Sequence, residues 1–413
     1  MQNKLSNILI ILGVALGLVS GATGNHQLFQ IATVISELFM NLLKFVSLPI
    51  IFLGITSTIT GMQSWAEVHN LGRRILKYTL LTTLIAASIA LVLFLIINPV
   101  HGLITSSVLE SAPVAANKSY LSFAMKIIPS NFVQAFQENN VIGIAFIAFL
   151  LSIATLQLPE ENKKTLQSLF SSLFAALLKV TGYAIALMPI GIWAFMTLLM
   201  HDINGQTEKF EPIILYVVVV LGANLLQGLV ILPILLKLRG LSPIKTFRGA
   251  SKALLMAFVT KSSNATLPLS ITTARENLGV SNKVASTSLP LCSVINMNGC
   301  AAFILTTVLF VSMSNGIQFT MFDMIMWVFL ATLAAIGNAG VPMGCYFLSS
   351  AFLVSMNVPL YIMGLILPIY AVMDMIETAL NVWSDISITT IIDKELKDSI
   401  ITDDANDTVL EGV

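Results

Sequence analysis

Long apolar stretches separated by short polar segments make up the first 240 residues of the chain. A helix needs about 20 mostly apolar residues to cross a bilayer, so each stretch predicts a transmembrane helix. The fourth stretch is interrupted at Pro129 and again by polar residues 134–140, which predicts a broken element. The six stretches lie near residues 7–23, 29–60, 75–98, 119–157, 166–200 and 213–236.

The pattern of apolar and polar residues changes after residue 240. Residues 249–275 are only half apolar, and their middle, 261–268, reads KSSNATLP. Residues 322–358 repeat this design around 337–344, which reads GNAGVPMG. Polar backbone at membrane depth is tolerated only inside protein or beside a water-filled cavity, so both segments predict re-entrant hairpins. They alternate with spans at 283–314, interrupted at 296–299, and 360–393, and such inverted, broken repeats are typical of secondary transporters.

Basic residues cluster in every second loop of the first six spans. Cytoplasmic loops carry an excess of Lys and Arg, so this pattern places the N-terminus and those loops in the cytoplasm, with the C-terminal tail on the same side. The intervening loops hold only Lys118 and Lys209. The clustered basic residues are Lys4, Arg73, Arg74, Lys77, Lys163, Lys164, Lys237, Arg239, Lys245, Arg248 and Lys252.

The composition agrees with a membrane protein. Of the 413 residues, 56% are hydrophobic and 10% charged, with a mean hydropathy of +0.89, whereas soluble domains carry about 25% charged residues. The zero net charge and the lack of a basic cluster interleaved with aromatics argue against a nucleic-acid partner. The sequence shows neither a nucleophile–base pair nor a nucleotide-binding loop, so it gives no indication of an enzyme. The three scattered cysteines predict neither a disulfide framework nor a zinc site.

The last predicted helix carries a stripe of polar residues. At about 100° per residue, Asp374, Glu377, Thr378, Asn381 and Asp385 fall within roughly a 100° arc on one face. A helix that merely lines an aqueous crevice would also carry solvated acids, but it would not need Asn and Thr between them. Ionisable residues inside a membrane are costly and usually functional. The stripe suits an amino acid with a small cation, because carboxylates bind ammonium groups and broken-helix carbonyls bind sodium.

At these motifs the chain resembles the dicarboxylate/amino acid:cation symporter family, which includes the glutamate transporters. The family's serine-rich hairpin tip matches residues 262–266, its Asn-Met-Asp-Gly-Thr motif matches 296–300, and its second tip matches 339–342. Its final-helix pattern matches Asp374, Asn381 and Asp385. The resemblance implies an all-α polytopic membrane protein with eight transmembrane helices and two re-entrant hairpins. It also implies a homotrimer that works by an elevator mechanism.

The resemblance further implies a division of the chain and a substrate site. Residues 1–240 would form the scaffold and trimerisation helices, together with helices 3 and 6 of the transport domain. Residues 241–393 would form the transport core, and residues 394–413 would form a cytoplasmic tail. Asp374 would bind the substrate ammonium, and Asn381 with both hairpin tips the α-carboxylate. The implied substrate-binding residues are Ser263, Asn264, Cys300, Val341, Pro342, Cys345, Asp374, Glu377, Thr378 and Asn381.

Sodium, with protons as an alternative, is the co-transported ion that the resemblance implies. One site would use Cys292, Asn296, Asn381 and Asp385, and a second Met297, Ala335, Ile336 and Asn338. The third site is expected to be degraded, because Asn298 and Tyr370 stand where the family has acids. Its remaining candidates are Tyr78, Thr82, Thr83, Asn296 and Asn298.

Glu377 is the main departure from the family. Members with acidic substrates have an Arg there, which pairs with the substrate's side-chain carboxylate. Opposite charges near 4 Å attract by roughly 4 kcal/mol at an effective dielectric of about 20, so the reversal predicts a cationic substrate such as lysine, arginine or ornithine. Two alternatives stay open: Glu377 pairs with Lys261, or it is protonated, and the substrate is then neutral, such as serine, alanine or threonine.

An ion channel is a further alternative, since broken helices also line pores, and it predicts uptake that does not saturate. The short loops favour a bacterial inner membrane as the location. The expected partners are an amino acid, lipid and two further copies of the chain.

Overall fold

The computed structural model describes residues 2–61, 65–100, 128–138, 140–203, 211–338, 340 and 342–410. Within these ranges the chain is helical with turns, and no strand occurs. The all-α prediction is confirmed for this part of the chain. Residues 119–127 of the fourth predicted span, Lys118 and Lys209 in the loops, and Ala339 and Val341 at the second tip lie outside the described residues.

The first half of the chain forms nine α-helices among the described residues. The first five are α1 (Gln2–Ala22), α2 (His26–Thr60), α3 (Trp65–Ile97), α4 (Phe132–Gln137) and α5 (Val141–Leu156). The others are α6 (Glu160–Ala186), α7 (Met188–Ile203), α8 (Glu211–Leu226) and α9 (Leu232–Leu238), with a π-helical turn, Gln227–Ile231, joining α8 to α9.

The second half begins with a helical pair, α10 (Pro243–Thr260) and α11 (Ser263–Leu278). A broken helix follows as α12 (Asn282–Ile295) and α13 (Asn298–Ser314). The second pair is α14 (Met321–Ala335), which ends in a 3-10 turn at Ile336–Asn338, and α15 (Gly344–Ser355). The chain closes with α16 (Tyr361–Leu410).

Five helical segments of the described chain are long and apolar enough to cross a membrane: Leu71–Ile97, Glu160–Ala186, Glu211–Leu238, Asn282–Ser314 and Tyr361–Asp398. Their burial differs sharply, since 94% of the apolar window in Asn282–Ser314 is buried against 22% in Glu160–Ala186. The broken helix α12–α13 is therefore the centre of the fold. α3, α8, α14, α15 and α16 pack around α13. α1, α2, α5, α6 and α7 pack among themselves, and α2 and α7 also contact α15 and α16, respectively.

Several boundaries differ from the sequence prediction, among them the start of α3, which lies at Trp65 where the span was expected from residue 75. The single span expected at 166–200 is two helices that meet at Leu187, because Pro189 has no N–H and interrupts the hydrogen-bond ladder. The tail expected from Lys394 begins inside α16, which continues to Leu410. The start of that tail is held in place, since Lys394 donates hydrogen bonds to the carbonyls of Arg239 and Gly240.

Candidate functional site

The break between α12 and α13 leaves two residues out of helical geometry. Asn296 has φ −101° and ψ 67°, and Met297 has φ −106° and ψ 67°. The last carbonyls of α12 and the first N–H groups of α13 therefore lose their partners within the helix. Backbone carbonyls are ligands that hard cations prefer, so the break supplies the oxygen atoms that a sodium ion needs.

Buried amides connect this break to α3 and α16. Asn296 donates from Nδ2 to Asp385 Oδ1 across 2.9 Å, and Thr82 donates to Asn296 Oδ1 across 3.1 Å. Asn298 donates to Asn296 Oδ1 across 3.3 Å and also to the hydroxyl of Ser384. The structure thus brings together most of the residues expected at the first and third cation sites.

Asp385 is the charged member of this network. It is 3% exposed, and no ion pair within 4 Å reaches it among the described side chains. Cys292 is also buried, and the charge of Asp385 acts on its thiol. A buried carboxylate that lacks a counter-ion is costly. A bound cation would supply that counter-ion, so the donor set fits sodium as cargo.

Tyr78 does not join the other candidates for the third site. Its hydroxyl donates a short hydrogen bond to Glu395, near the end of the α16 membrane span. Glu395 also forms ion pairs with Arg74 at 3.1 Å and Arg239 at 3.2 Å. Thr83 is buried, and within the described part of the chain its hydroxyl has no hydrogen-bond partner.

The residues expected at the second cation site also lie together. Asn338 ends the 3-10 turn after Ala335, and its Nδ2 lies 3.7 Å from the sulfur of Met297. The Oδ1 atom of Asn338 is buried, and no described residue offers it a hydrogen bond. An unsatisfied buried oxygen beside a helix break is a suitable cation ligand.

The two helical pairs meet at their tips. Ser262, the N-cap of α11, donates from Oγ to the carbonyl of Gly340 across 3.1 Å. Ser263 is the first residue of α11 and Asn264 accepts a hydrogen bond from Ser293, so both belong to this junction. Pro342 lies next to the tip and is half-buried, while Val341 is outside the described residues.

The polar face of α16 lies against this junction. The N–H of Met343 donates to Asp374 Oδ2 across 3.1 Å, and Thr378 hydrogen-bonds the same carboxylate. The N–H of Gly299 donates to Asn381 Oδ1 across 2.9 Å, which leaves the Asn381 NH2 group to donate to a ligand. One helix face therefore presents acceptors for an ammonium and a donor for a carboxylate.

Glu377 is buried, and no basic side chain among the described residues pairs with it. It is 1% exposed, its Oε1 has no hydrogen-bond partner, and its Oε2 lies 3.4 Å from the hydroxyl of Tyr370. The same hydroxyl lies 3.4 Å from Asp374 Oδ1, and its single proton serves one carboxylate at a time. The electrostatic partner of Lys261 is Asp374.

The cysteine prediction is wrong for two residues. Cys300 and Cys345 form a disulfide that ties α13 to α15, with their Cα atoms 5.3 Å apart. The cysteines also share a cluster with Glu377, in which all ligand atoms lie within 4.8 Å of one another. Neither feature was visible in the sequence, because 45 residues separate the cysteines and their spacing matches no motif.

Two amides on α8 and the π-turn belong to the site and were missed. Both side-chain atoms of Asn224 are buried without partners, and a Cβ on Gly299 would lie 3.0 Å from its Oδ1 and 3.0 Å from Glu377 Cα. Gln227 donates to the carbonyl of Thr82 across 3.0 Å, and its Oε1 has no partner. Two amides three residues apart inside an apolar span were the available signal.

Helices that are broken at their centres, with their open ends gathered around buried carboxylates and amides, define a membrane transporter for small solutes. Residues 7–395 match the sodium:dicarboxylate symporter family. The chain belongs to this family and is a sodium-coupled symporter, not an enzyme.

Several animal transporters are similar in sequence to this chain along most of their own length. The neutral amino acid transporter B(0) of Bos taurus is 27% identical over 92% of this chain and 77% of its own. The human neutral amino acid transporter B(0) is likewise 27% identical over 92% of this chain and 77% of its own. An excitatory amino acid transporter of Caenorhabditis elegans is 25% identical over 91% of this chain and 84% of its own.

Proposed function

We propose that this protein is a sodium-coupled symporter of amino acids with cationic side chains, such as lysine, arginine and ornithine. One observation carries the proposal: Glu377 is a buried carboxylate with an unpartnered oxygen, and the one lysine at the hairpin tips acts on Asp374 instead. Leaving an ionised carboxylate unpaired in the interior is costly. The distal ammonium or guanidinium of the substrate supplies the missing partner.

The charges of the site favour the same substrates. Lys261 acts on Asp374 and not on Glu377, so the charge of Glu377 stays uncompensated at the distal end of the pocket. A cationic amino acid carries one net positive charge, whereas aspartate and glutamate carry one net negative charge. A like-charge contact near 4 Å costs roughly 4 kcal/mol at a dielectric of about 20, which corresponds to about a thousandfold in affinity.

Each part of the substrate has a proposed partner. Asp374 binds the α-ammonium, and the Asn381 amide with the two hairpin tips binds the α-carboxylate. Asn224 lies beside Gly299 and Glu377 with its amide unsatisfied, so it hydrogen-bonds the distal end of the side chain. Sodium binds beside Asp385 and beside Asn338, and the third site, where Asn298 offers an amide, is degraded.

We further propose the assembly and movement that the family resemblance implies: a homotrimer in a bacterial inner membrane, with both termini in the cytoplasm and a transport part that moves as an elevator. The ion pairs of Glu395 support the proposed division, because they join α16 to α3 and to the end of α9. α3 and α9 would then move with the core, and α14–α15 would act as the gate.

A neutral substrate is the second candidate, and one contact favours it. Tyr370 lies 3.4 Å from both Asp374 and Glu377, an arrangement that suits a pair of acids sharing a proton. With Glu377 protonated, the pocket accepts serine, alanine or threonine, and the proton is a second coupled ion. Two of the relatives described above are named as neutral amino acid transporters.

Uptake into proteoliposomes distinguishes these candidates. Radiolabelled lysine, serine and aspartate are offered in turn under an inward sodium gradient, and then under a proton gradient. The proposal expects saturable, sodium-driven uptake of lysine that unlabelled arginine inhibits and aspartate does not. Uptake of serine alone supports the neutral candidate, and uptake that fails to saturate indicates a channel.

Two substitutions connect the result to the site. Glu377→Arg should abolish lysine uptake and admit aspartate, because it restores a basic group at the distal end. Glu276→Gln is the matched control, since Glu276 is exposed on α11 and should keep the wild-type preference. Undiminished lysine uptake by Glu377→Arg contradicts the proposed pairing.

A further inference from the structure

Three buried side chains from three helices converge at the distal end of the pocket. Cys300 lies in the first turn of α13, Cys345 is the second residue of α15, and Glu377 lies on α16. Their sulfur and carboxylate ligand atoms all lie within 4.8 Å of one another. The three residues are between 0% and 2% exposed, so they form an enclosed cluster within the protein.

One oxygen in this cluster is unsatisfied. Glu377 Oε2 is near the Tyr370 hydroxyl, but Oε1 is buried and has no hydrogen-bond partner. Buried polar atoms are nearly always paired, and a bound ion is one explanation for an exception. This observation is independent of the proximity of the two sulfur atoms, and it too indicates that the cluster binds a cation.

The donor atoms favour a thiophilic divalent ion over sodium. Cysteine thiolates and a carboxylate are ligands of Zn²⁺, with Zn–S distances of about 2.3 Å and Zn–O distances of about 2.0–2.2 Å. Two sulfur ligands of one tetrahedral zinc are then about 3.8 Å apart. The two sulfur atoms, which are bonded to each other in this structure, must therefore separate before they can bind zinc together. Hard ions such as sodium prefer oxygen ligands and gain little from sulfur.

We propose that Cys300, Cys345 and Glu377 form a redox-gated site for Zn²⁺. In the disulfide form the sulfur atoms are bonded to each other and no thiolate is available. A dithiol reductant gives two electrons and two protons to the disulfide and is itself oxidised to a disulfide. Zinc then replaces the two thiol protons, which are released to solution. Three protein ligands leave a fourth position for water.

The ion would lie where the distal end of a substrate is proposed to bind. Zinc bound to Glu377 blocks that carboxylate, and it also joins α15 to α13 and α16. The reduced protein should therefore be inhibited by zinc, and the disulfide form should not. This inference goes beyond the transport proposal, and its first test requires no transport.

The first test counts metal with zinc alone as the probe. Full-length protein in detergent is reduced, freed of reductant under anaerobic conditions, equilibrated with zinc and analysed for bound metal by mass spectrometry. One zinc per chain is expected in the reduced protein and none after oxidation. Equal zinc in the two states overturns the proposal.

Variants assign the ligands. Cys300→Ser and Cys345→Ser should each lose the bound zinc, and Glu377→Gln should weaken binding by at least about tenfold in competition with a chromophoric chelator. Cys292→Ser is the matched control, since Cys292 is the buried free cysteine and should retain one zinc. Retention of zinc by Cys300→Ser overturns the assignment.

A spectroscopic measurement covers the case in which a cysteine variant fails to fold. Cobalt replaces zinc in the reduced wild-type protein, and thiolate ligation gives intense sulfur-to-cobalt charge-transfer absorption. That absorption should be present in reduced protein and in Cys292→Ser, and absent after oxidation. Cobalt that binds to the reduced wild-type protein without this absorption contradicts thiolate ligation.

Discussion

The hydroxyl of Ser262 donates a hydrogen bond to the carbonyl of Gly340 across 3.1 Å, so the tips of two helical pairs touch. Three residues after Gly340, the N–H of Met343 contacts Asp374, which is 3% exposed. In the proposed mechanism an amino acid reaches Asp374 only when the tips separate, and the contact between Ser262 and Gly340 belongs to the closed gate. Several expected outcomes depend on this proposal.

Gly340→Ala should hold this gate open. Gly340 has φ +62°, and a Cβ there would lie 2.7 Å from the carbonyl oxygen of Ser293. The left-handed conformation alone costs a residue with a side chain about 1–2 kcal/mol. Substrate affinity, measured by sodium-dependent binding, should fall about tenfold or more.

Gly279→Ala is the control for backbone strain. Gly279 has φ +69°, a Cβ there would have no atom within 4 Å, and the residue lies at the other end of α11. Its substitution should lower thermal stability and leave the dissociation constant of the substrate unchanged. A similar loss of affinity in both variants contradicts a specific role for the tip.

Ser262→Ala removes two hydrogen bonds. Ser262 Oγ also accepts from the N–H of Ala265 across 3.2 Å, which caps α11. Loss of an N-cap costs about 1 kcal/mol, and loss of the tip contact about as much. We expect a lower melting temperature together with faster substrate dissociation, measured by isotope exchange. Ser242→Ala removes only an N-cap, that of α10, and should affect stability alone.

Asn298→Asp should make the protein bind one more cation. Asn298 is fully buried, and its Nδ2 donates to Asn296 and Ser384. A carboxylate there has no proton to donate and adds a buried charge, which should destabilise the sodium-free protein by several kcal/mol. The melting temperature should rise more steeply with sodium concentration than in the wild type. Parallel sodium dependences would show that no extra ion binds.

Glu395→Gln tests how α3 and α9 are attached to α16. Glu395 pairs with Arg74 and Arg239, and its side chain is 23% exposed. Partly exposed ion pairs contribute about 1 kcal/mol or less each, and salt screens them. The melting temperature should fall by a few degrees at low salt and by less at high salt. A fall that is independent of salt would assign the stabilisation to packing instead.

The sequence predicted the parts of the site that are local in the chain. The polar stripe from Asp374 to Asp385 lies on one face of a helix, and both its period and its residue types can be read without a structure. The helix break at Asn296 and Met297 was equally visible, since a polar motif inside an apolar stretch does not suit an unbroken helix that faces lipid. The division of the span at 166–200 was missed, because Pro189 lies within an otherwise continuous apolar stretch.

By itself, the sequence determined that this protein crosses a membrane by helices and that the span at 283–314 breaks at Asn296 and Met297. These features depend on local hydrophobicity and on the hydrogen bonds that each backbone group requires. Only the tertiary structure decided the pairing of Cys300 with Cys345 and the position of Asn224 beside Glu377. It also decided that Glu377 Oε1 lacks a hydrogen-bond partner among the described residues. Which helix faces meet depends on how all the side chains pack together, and the spacing along one chain does not record that.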